Sequence, residues 1–398
     1  MKVSDIHKKR IADKRNRLIA ACIANFLIPL RIFLRGKSGR HFSLKKILLL
    51  RTDGIGDFIT TLPAFKVLRE YFTHSKITCA CAKWNTEIAE MSKLFDEVKP
   101  LTLPWASRAG RSSYHRNLSV LRNKELFCTI KELRSERFDM SVDFRGDFRN
   151  NVIMYLIGAP IRVGFSFTGL GYFLTDIVSE VPGRNQFEEC SLIVKYLTGK
   201  ECRRNERVML NCGLDEEIIK KYIEINKLED FVLVHPIASQ SVRQWPLERI
   251  AKVVDFIQKE LDIPVLLIAQ PKEHKILEKI RSSTSTNPLI FYTKNLKQVF
   301  SAIKQSKLVI CHESGIMHIA SFLGKRTIAI VGPTHIDYFG PLNIDVVSFI
   351  KNYDGLSCAP CGLERCSFQG KANDETPPCI NNVTEDVVMR AIHESLTP

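Results

Sequence analysis

The chain has 398 residues, 45% hydrophobic and 25% charged, a balance that excludes a disordered or fibrous protein and leaves room for two full-sized cores. Its net charge of +15 is concentrated: residues 1–46 carry thirteen Lys and Arg against Asp5 and Asp13, and no nucleic-acid-binding motif accompanies them, which argues against a nucleic-acid partner. Twelve cysteines are scattered without a disulfide framework, as expected of reduced thiols in a cytoplasmic protein.

Residues 1–44 form a basic arm. Its stretch 18–34, LIAACIANFLIPLRIFL, is interrupted by Asn25, Pro29 and Arg31. The uninterrupted apolar run is shorter than the roughly 20 residues that span a bilayer. A basic helix with one apolar face suits the surface of an anionic membrane. A helix packed on the neighbouring domain is the alternative. The first 45 residues show no signal-peptide cleavage pattern. The arm therefore predicts peripheral contact with the inner face of the cytoplasmic membrane.

Beyond the arm, strand-like and helix-like runs alternate. Residues 46–51, 76–82, 138–144 and 161–165 read as strands, with amphipathic stretches such as 118–136 between them. Residues 186–198 and 214–226 read as helices. A second series of strands follows at 231–236, 264–269, 288–292, 307–311 and 326–331, with helical patterns at 246–261, 271–283, 295–305 and 315–323. Apolar strands without alternation are typical of parallel sheets covered on both faces. Two such series predict an α/β chain of two doubly wound domains, 45–205 and 230–350, joined by a polar linker at 206–229. Residues 351–398 are a Cys-rich segment ending in a helix, 385–396, that follows the potential cap Thr384. Two such domains face a cleft at the carboxyl ends of their strands.

Three segments just after strands carry chemistry. The first is TDGIGD, residues 52–57. Gly54-x-Gly56 lacks the third glycine of a dinucleotide fingerprint and the second strand, ending CACAKW, lacks the ribose-binding acid, so a dehydrogenase is disfavoured; a P-loop lysine is missing too. Gly54 and Gly56 permit close backbone approach, and Asp57 sits near a helix start. It is either a helix cap or a general base for an acceptor hydroxyl. The second is 309–334, VICHESGIMHIASFLGKRTIAIVGPT. Its turn Glu313-Ser314-Gly315 opens a short helix bearing His318. Backbone N–H groups at such a start bind phosphate, Ser314 adds a hydroxyl, and Glu313 suits a sugar hydroxyl. The third is 232–254, in which Ser239 lies in a polar loop and Arg243 precedes Trp245-Pro246. Arg243 is placed to meet a diphosphate.

Together these segments resemble glycosyltransferase family 9, the heptosyltransferases of lipopolysaccharide inner-core synthesis. The resemblance runs over about residues 45–395. It implies a GT-B fold of two Rossmann-like domains, inverting transfer from a nucleotide sugar, typically ADP-heptose, no catalytic metal and no cofactor. By position, Asp57 resembles the catalytic base. Glu313, Ser314, Gly315 and His318 match the donor turn, with Glu313 where the family has aspartate. Arg243 stands where the family usually has a lysine on the donor phosphates, and Ile237 replaces a glycine. These departures leave a UDP- or GDP-linked sugar, used by a transferase or epimerase of surface polysaccharide, as the alternative donor reading. A non-catalytic sugar-nucleotide-binding protein is the alternative of another class.

Two further features complete the expectations. The basic stretch 105–124, with Arg108, Arg111 and Arg116, suits a phosphorylated lipid-linked or core oligosaccharide acceptor. Cys358, Cys361, Cys366 and Cys379 have spacings that admit a zinc site, though no second CxxC completes one. Reduced structural thiols are the other reading.

Overall fold

The computed structural model of the chain describes residues 44–103, 123–181, 183–363, 366 and 376–396. The basic arm up to residue 43 lies outside the described residues, as do Arg108, Arg111 and Arg116. The chain divides into two compact units, Met1–Leu210 and Asn211–Pro398.

In the first unit, strand β1 (Lys46–Arg51) leads into helix α1 (Ile55–Tyr71), then β2 (Lys76–Ala82), α2 (Thr86–Ser92) and β3 (Glu97–Leu101). The chain continues through α3 (Lys124–Ser135), β4 (Met140–Asp143), α4 (Phe148–Ile157), β5 (Ile161–Gly164), β6 (Asp176–Ile177) and α5 (Gln186–Thr198). The sheet order is β3-β2-β1-β4-β5-β6, with every neighbour parallel. Ile47 to Leu50 are fully buried, as covering on both faces requires. Helix α1 is buried on nearly every side over its first three turns, so its apolar residues are not confined to one stripe.

The second unit repeats the plan. Helix α6 (Leu214–Ile225) precedes β7 (Val232–His235), α7 (Leu247–Lys259), β8 (Val265–Ala269), α8 (His274–Ser283), β9 (Leu289–Tyr292) and α9 (Leu296–Gln305). Then come β10 (Leu308–His312), α10 (Gly315–Phe322), β11 (Thr327–Ile330), α11 (Ile336–Phe339), β12 (Val347–Ile350), α12 (Pro378–Asn381) and α13 (Glu385–Leu396). Its parallel sheet runs β12-β11-β10-β7-β8-β9. Counted from the first strand of each unit, the two strand orders are the same. Trp245, Val254, Leu267, Val388 and Ile392 share one core, so α13 completes the second unit.

Among the described residues the predicted strands and helices are present, but the expectations omitted β3, β6 and β12. All three are edge strands: β3 is mostly half-buried, β6 has two residues, and β12 is buried only at Val347. The stretch 206–229, read as a linker, contains α6. Gln298 of α9 donates from Nε2 to Asp215 of α6 at 3.0 Å, which anchors that helix to the second unit.

Candidate functional site

Strand order reverses between β1 and β4 in the first unit and between β7 and β10 in the second. In open parallel sheets, ligands bind beyond the strand ends at such reversals. The segments 52–57, 239–243 and 313–318 all follow one of these four strands.

Asp57 occupies the third position of α1, and its carboxylate folds back over the helix start. Its Oδ2 accepts from the Gly54 N–H at 2.8 Å, half of a capping box. Gly54 is glycine for space rather than for its φ of −71°: a Cβ there would stand 2.9 Å from that oxygen. The other oxygen, Oδ1, accepts from Nε2 of Gln186, the first residue of α5, at 2.6 Å. Gly56 is buried in the first turn of α1. Arg51, at the end of β1, is fully buried and ties the loop together. Its guanidinium donates to the carbonyls of Phe144 and Asp57 and meets Asp53 Oδ1 at 3.0 Å. Burial holds the Asp53 carboxyl up at about 7, against the pull of Arg51. Trp84 Nε1 and Asn85 Nδ2 both donate to the Asp53 carbonyl.

Across the reversal, the loop after β4 supplies a cluster that motif reading missed. Thr52 Oγ1 accepts from Asn150 Nδ2 at 2.8 Å, and Asn150 also donates to Asp143 Oδ1 at 2.8 Å. Burial raises Asp143 to about 6 even though it accepts N–H bonds from Asn150, Gly146 and Arg145. Arg145 reaches the Thr52 carbonyl at 3.1 Å. Arg149 grips Asp147 with two bonds, at 2.8 and 2.5 Å. Burial alone would raise Asp147, but Arg149 and Arg145 outweigh it and hold the group well below the usual range. The signal was present as DFRGDFRN, residues 143–150, at the end of a predicted strand. Gln186 carried none, because it lies 129 residues from its partner. On the same helix, Glu189 is 2% exposed and neither carboxyl oxygen has a partner among the described residues. Burial, with Glu180 nearby, raises it to about 8.

In the second unit the structure brings two predicted residues together. Arg243, in a short turn after β7, donates from its terminal nitrogen to Glu313 Oε2 at 2.6 Å. Thr334, from the Gly332-Pro333-Thr334 loop after β11, donates to the same oxygen at 2.6 Å. Arg243 and Glu313 are both largely buried, and Arg243 Nε has no partner among the described residues. The Arg243 turn is braced from several sides. The Trp245 N–H donates to Nε2 of buried His312 at 3.0 Å, and the Trp245 indole N–H reaches the Val383 carbonyl at 2.9 Å. Burial, then His235, depresses His312 to about 3, so it stays a neutral acceptor. A Cβ on Gly332 would lie 3.3 Å from the Val242 carbonyl, which is why the two loops can lie together. Ser314 caps α10, accepting from the Ile316 N–H at 3.3 Å, and Gly315 begins that helix. His318 is buried on α10, and Ser239 is exposed in the loop after β7.

Cys358, Cys361, Cys366 and Cys379 line one cavity with Val242 and Pro333, against the back of the Arg243 turn. All four are free thiols, and burial pushes Cys379 up to about 11. Among the described residues no three His, Cys, Asp or Glu side chains converge as ligands of one metal ion. The four thiols form part of the wall of this cavity. No helix among the described residues is long and apolar enough to cross a membrane.

The chain is similar to known proteins over most of its length. The lipopolysaccharide core heptosyltransferase OpsX of Haemophilus influenzae is 22% identical over 293 residues, covering 72% of this chain and 78% of its own. A solved glycosyl transferase family 9 protein from Veillonella parvula superposes with a TM-score of 0.68 at 19% identity, over 88% of this chain and 97% of that one. The Escherichia coli ADP-heptose LPS heptosyltransferase II does so with a TM-score of 0.65 at 16% identity, over 88% and 98%. The fold is of the GT-B type, with two Rossmann-like units. The family model of glycosyltransferase family 9 (heptosyltransferase) matches residues 127–372, a stretch that holds the Arg243–Glu313–Thr334 cluster and begins after the 52–57 loop. With more than half of its length matched, the chain belongs to glycosyltransferase family 9, and it is a glycosyltransferase.

Proposed function

We propose that the protein transfers a heptose, with inversion, from ADP-heptose to a lipopolysaccharide core acceptor. The observation that carries this reading is the meeting of Arg243, Glu313 and Thr334, three residues from separate loops, at the strand reversal of the second unit. Heptosyltransferase relatives that act on lipopolysaccharide core, and one named for ADP-heptose, support the choice of substrates.

The second unit holds the donor. Glu313 alone would repel a diphosphate; paired with Arg243 it is neutralised, and its free oxygen accepts a ribose or heptose hydroxyl. Arg243 has further N–H groups for the diphosphate, and the Ser314-capped start of α10 adds backbone donors. As the bond from the anomeric carbon to the diphosphate breaks, these groups stabilise the charge that develops on the leaving phosphate. The first unit supplies the base. Asp57 takes the proton of the acceptor hydroxyl while that oxygen bonds to the anomeric carbon, so the proton ends on the Asp57 carboxyl. A peripheral contact of the basic arm with anionic lipid would bring the enzyme to a lipid-linked acceptor.

The test is thermal unfolding of the full chain with ADP, UDP and GDP, followed by transfer from ADP-heptose to a heptose-deficient core lipopolysaccharide. Stabilisation by ADP alone, with product carrying one added heptose, is the expected result. Stabilisation by UDP or GDP instead would discard ADP-heptose as donor.

A further inference from the structure

We propose that Gln186 is a positioning residue for the base, holding the Asp57 carboxylate in one orientation and in its ionised form. The proposal rests on the assignment of Asp57 as base. An ionised carboxylate can only accept, so the glutamine must present its NH₂ group, and Nε2 stands 2.6 Å from Asp57 Oδ1. With the Gly54 N–H on Oδ2, each oxygen has its own donor, and rotation about the side chain breaks both bonds.

The placement of Gln186 is well determined. It is the first residue of α5, and Asn185 caps that helix through a full capping box: Asn185 Oδ1 accepts from Glu188 N at 3.0 Å, and Glu188 Oε2 accepts from Asn185 N at 3.1 Å. Thr61 Oγ1 of α1 and Cys190 Sγ of α5 lie 3.5 Å apart, so the two helices also meet one turn further along. The start of α5 is therefore one glutamine side chain away from a carboxylate that already sits at the start of α1. Both helix starts favour the charged form.

Fold stability does not account for this glutamine. Its side chain is buried, yet its Oε1 has no partner among the described residues. A half-satisfied amide costs stability compared with an apolar residue of the same size. What it gains is the bond to Asp57. The contact sets which lone pair of Asp57 remains for an acceptor proton. Removing it frees the carboxylate to turn and removes a donor that favours ionisation.

The experiment compares Gln186→Met and Gln186→Glu with wild type in the full chain, using ADP release from ADP-heptose with core lipopolysaccharide across pH 5 to 9. Gln186→Met keeps the volume and loses the donor. Its kcat should fall about 10- to 100-fold, the acid limb of kcat/KM should move to higher pH, and the KM for ADP-heptose should stay the same. Gln186→Glu sets a second carboxyl against Asp57, and the pair must share a proton, so its acid limb moves further in the same direction. A merely structural role predicts lower thermal stability in both variants with no ordered displacement of the limb. Wild-type kcat and pH profiles in both variants, with Asp57→Asn inactive, overturn the proposal while leaving the base assigned. Wild-type transfer by Asp57→Asn overturns the base assignment and this proposal with it. If Gln186→Met does not fold, Gln186→Asn, which withdraws the N–H by one methylene, takes its place with the same expectations.

Discussion

The loop after β1 and the loop after β7 hold equivalent places in two sheets of the same strand order, yet they fix opposite kinds of group. In the first unit an acid is held by neutral N–H donors, from Gly54 and Gln186. In the second a cation, Arg243, is held by an acid and an alcohol brings that acid into place. The backbone plan is common to both units, and the side chains on the loops decide the chemistry. A carboxylate fixed by neutral donors keeps its capacity to take a proton. A guanidinium fixed by a carboxylate contributes charge without net charge, which suits a polyanionic ligand that must also leave.

This contrast can be broken by separating chemistry from donor recognition. The largest effect is expected from Asp57→Asn, which should lower kcat about 10²- to 10⁴-fold while ADP binding by calorimetry stays the same. Loss of ADP binding in that variant would mean that the two roles are not divided between the units. Next comes Arg243→Ala. It strands Glu313 in a largely buried place and should cost about 3–5 kcal/mol of second-unit stability in denaturant unfolding, with ADP binding weakened. Arg243→Lys should recover part of both.

A smaller effect sharpens the picture of the first unit. Glu189 is raised from 4.5 to about 8, so its contribution to stability is complete below pH 4.5 and is lost as the pH rises toward 8. Glu189→Gln should remove that slope, gaining about 1–3 kcal/mol at pH 8 relative to wild type in urea unfolding and almost nothing at pH 4.5. The smallest effect belongs to Ser314→Ala. Loss of the cap on α10 should cost about 1 kcal/mol, read as a lowered unfolding midpoint.

The fold was legible because its central strands are buried on both faces and read as continuous apolar runs. The edge strand β3, EVKPL, mixes charge and proline, and β6 is too short to show a pattern. The candidate residues Asp57, Arg243 and Glu313 stood out in the sequence because a glycine turn or a short motif followed a strand. Their pairings did not, because Arg243 and Glu313 are 70 residues apart and no local pattern encodes the contact. Gln186 was hidden for the same reason. It lies at the start of an ordinary capped helix and takes its meaning from a loop on another element.

The separation of Asp57 and Gln186 along the chain also bears on how the protein is made. The side-chain donor that meets Asp57 Oδ1 is contributed 129 residues after Asp57 itself. During synthesis, β1 and α1 leave the ribosome long before α5 exists, so the loop that carries Asp57 emerges before Gln186 can reach it. A fragment that stops short of residue 186 carries every strand of the first sheet in its sequence and lacks the Gln186 donor that seats Asp57. Completion of the first unit, rather than folding of its opening βα element, is the event that seats it.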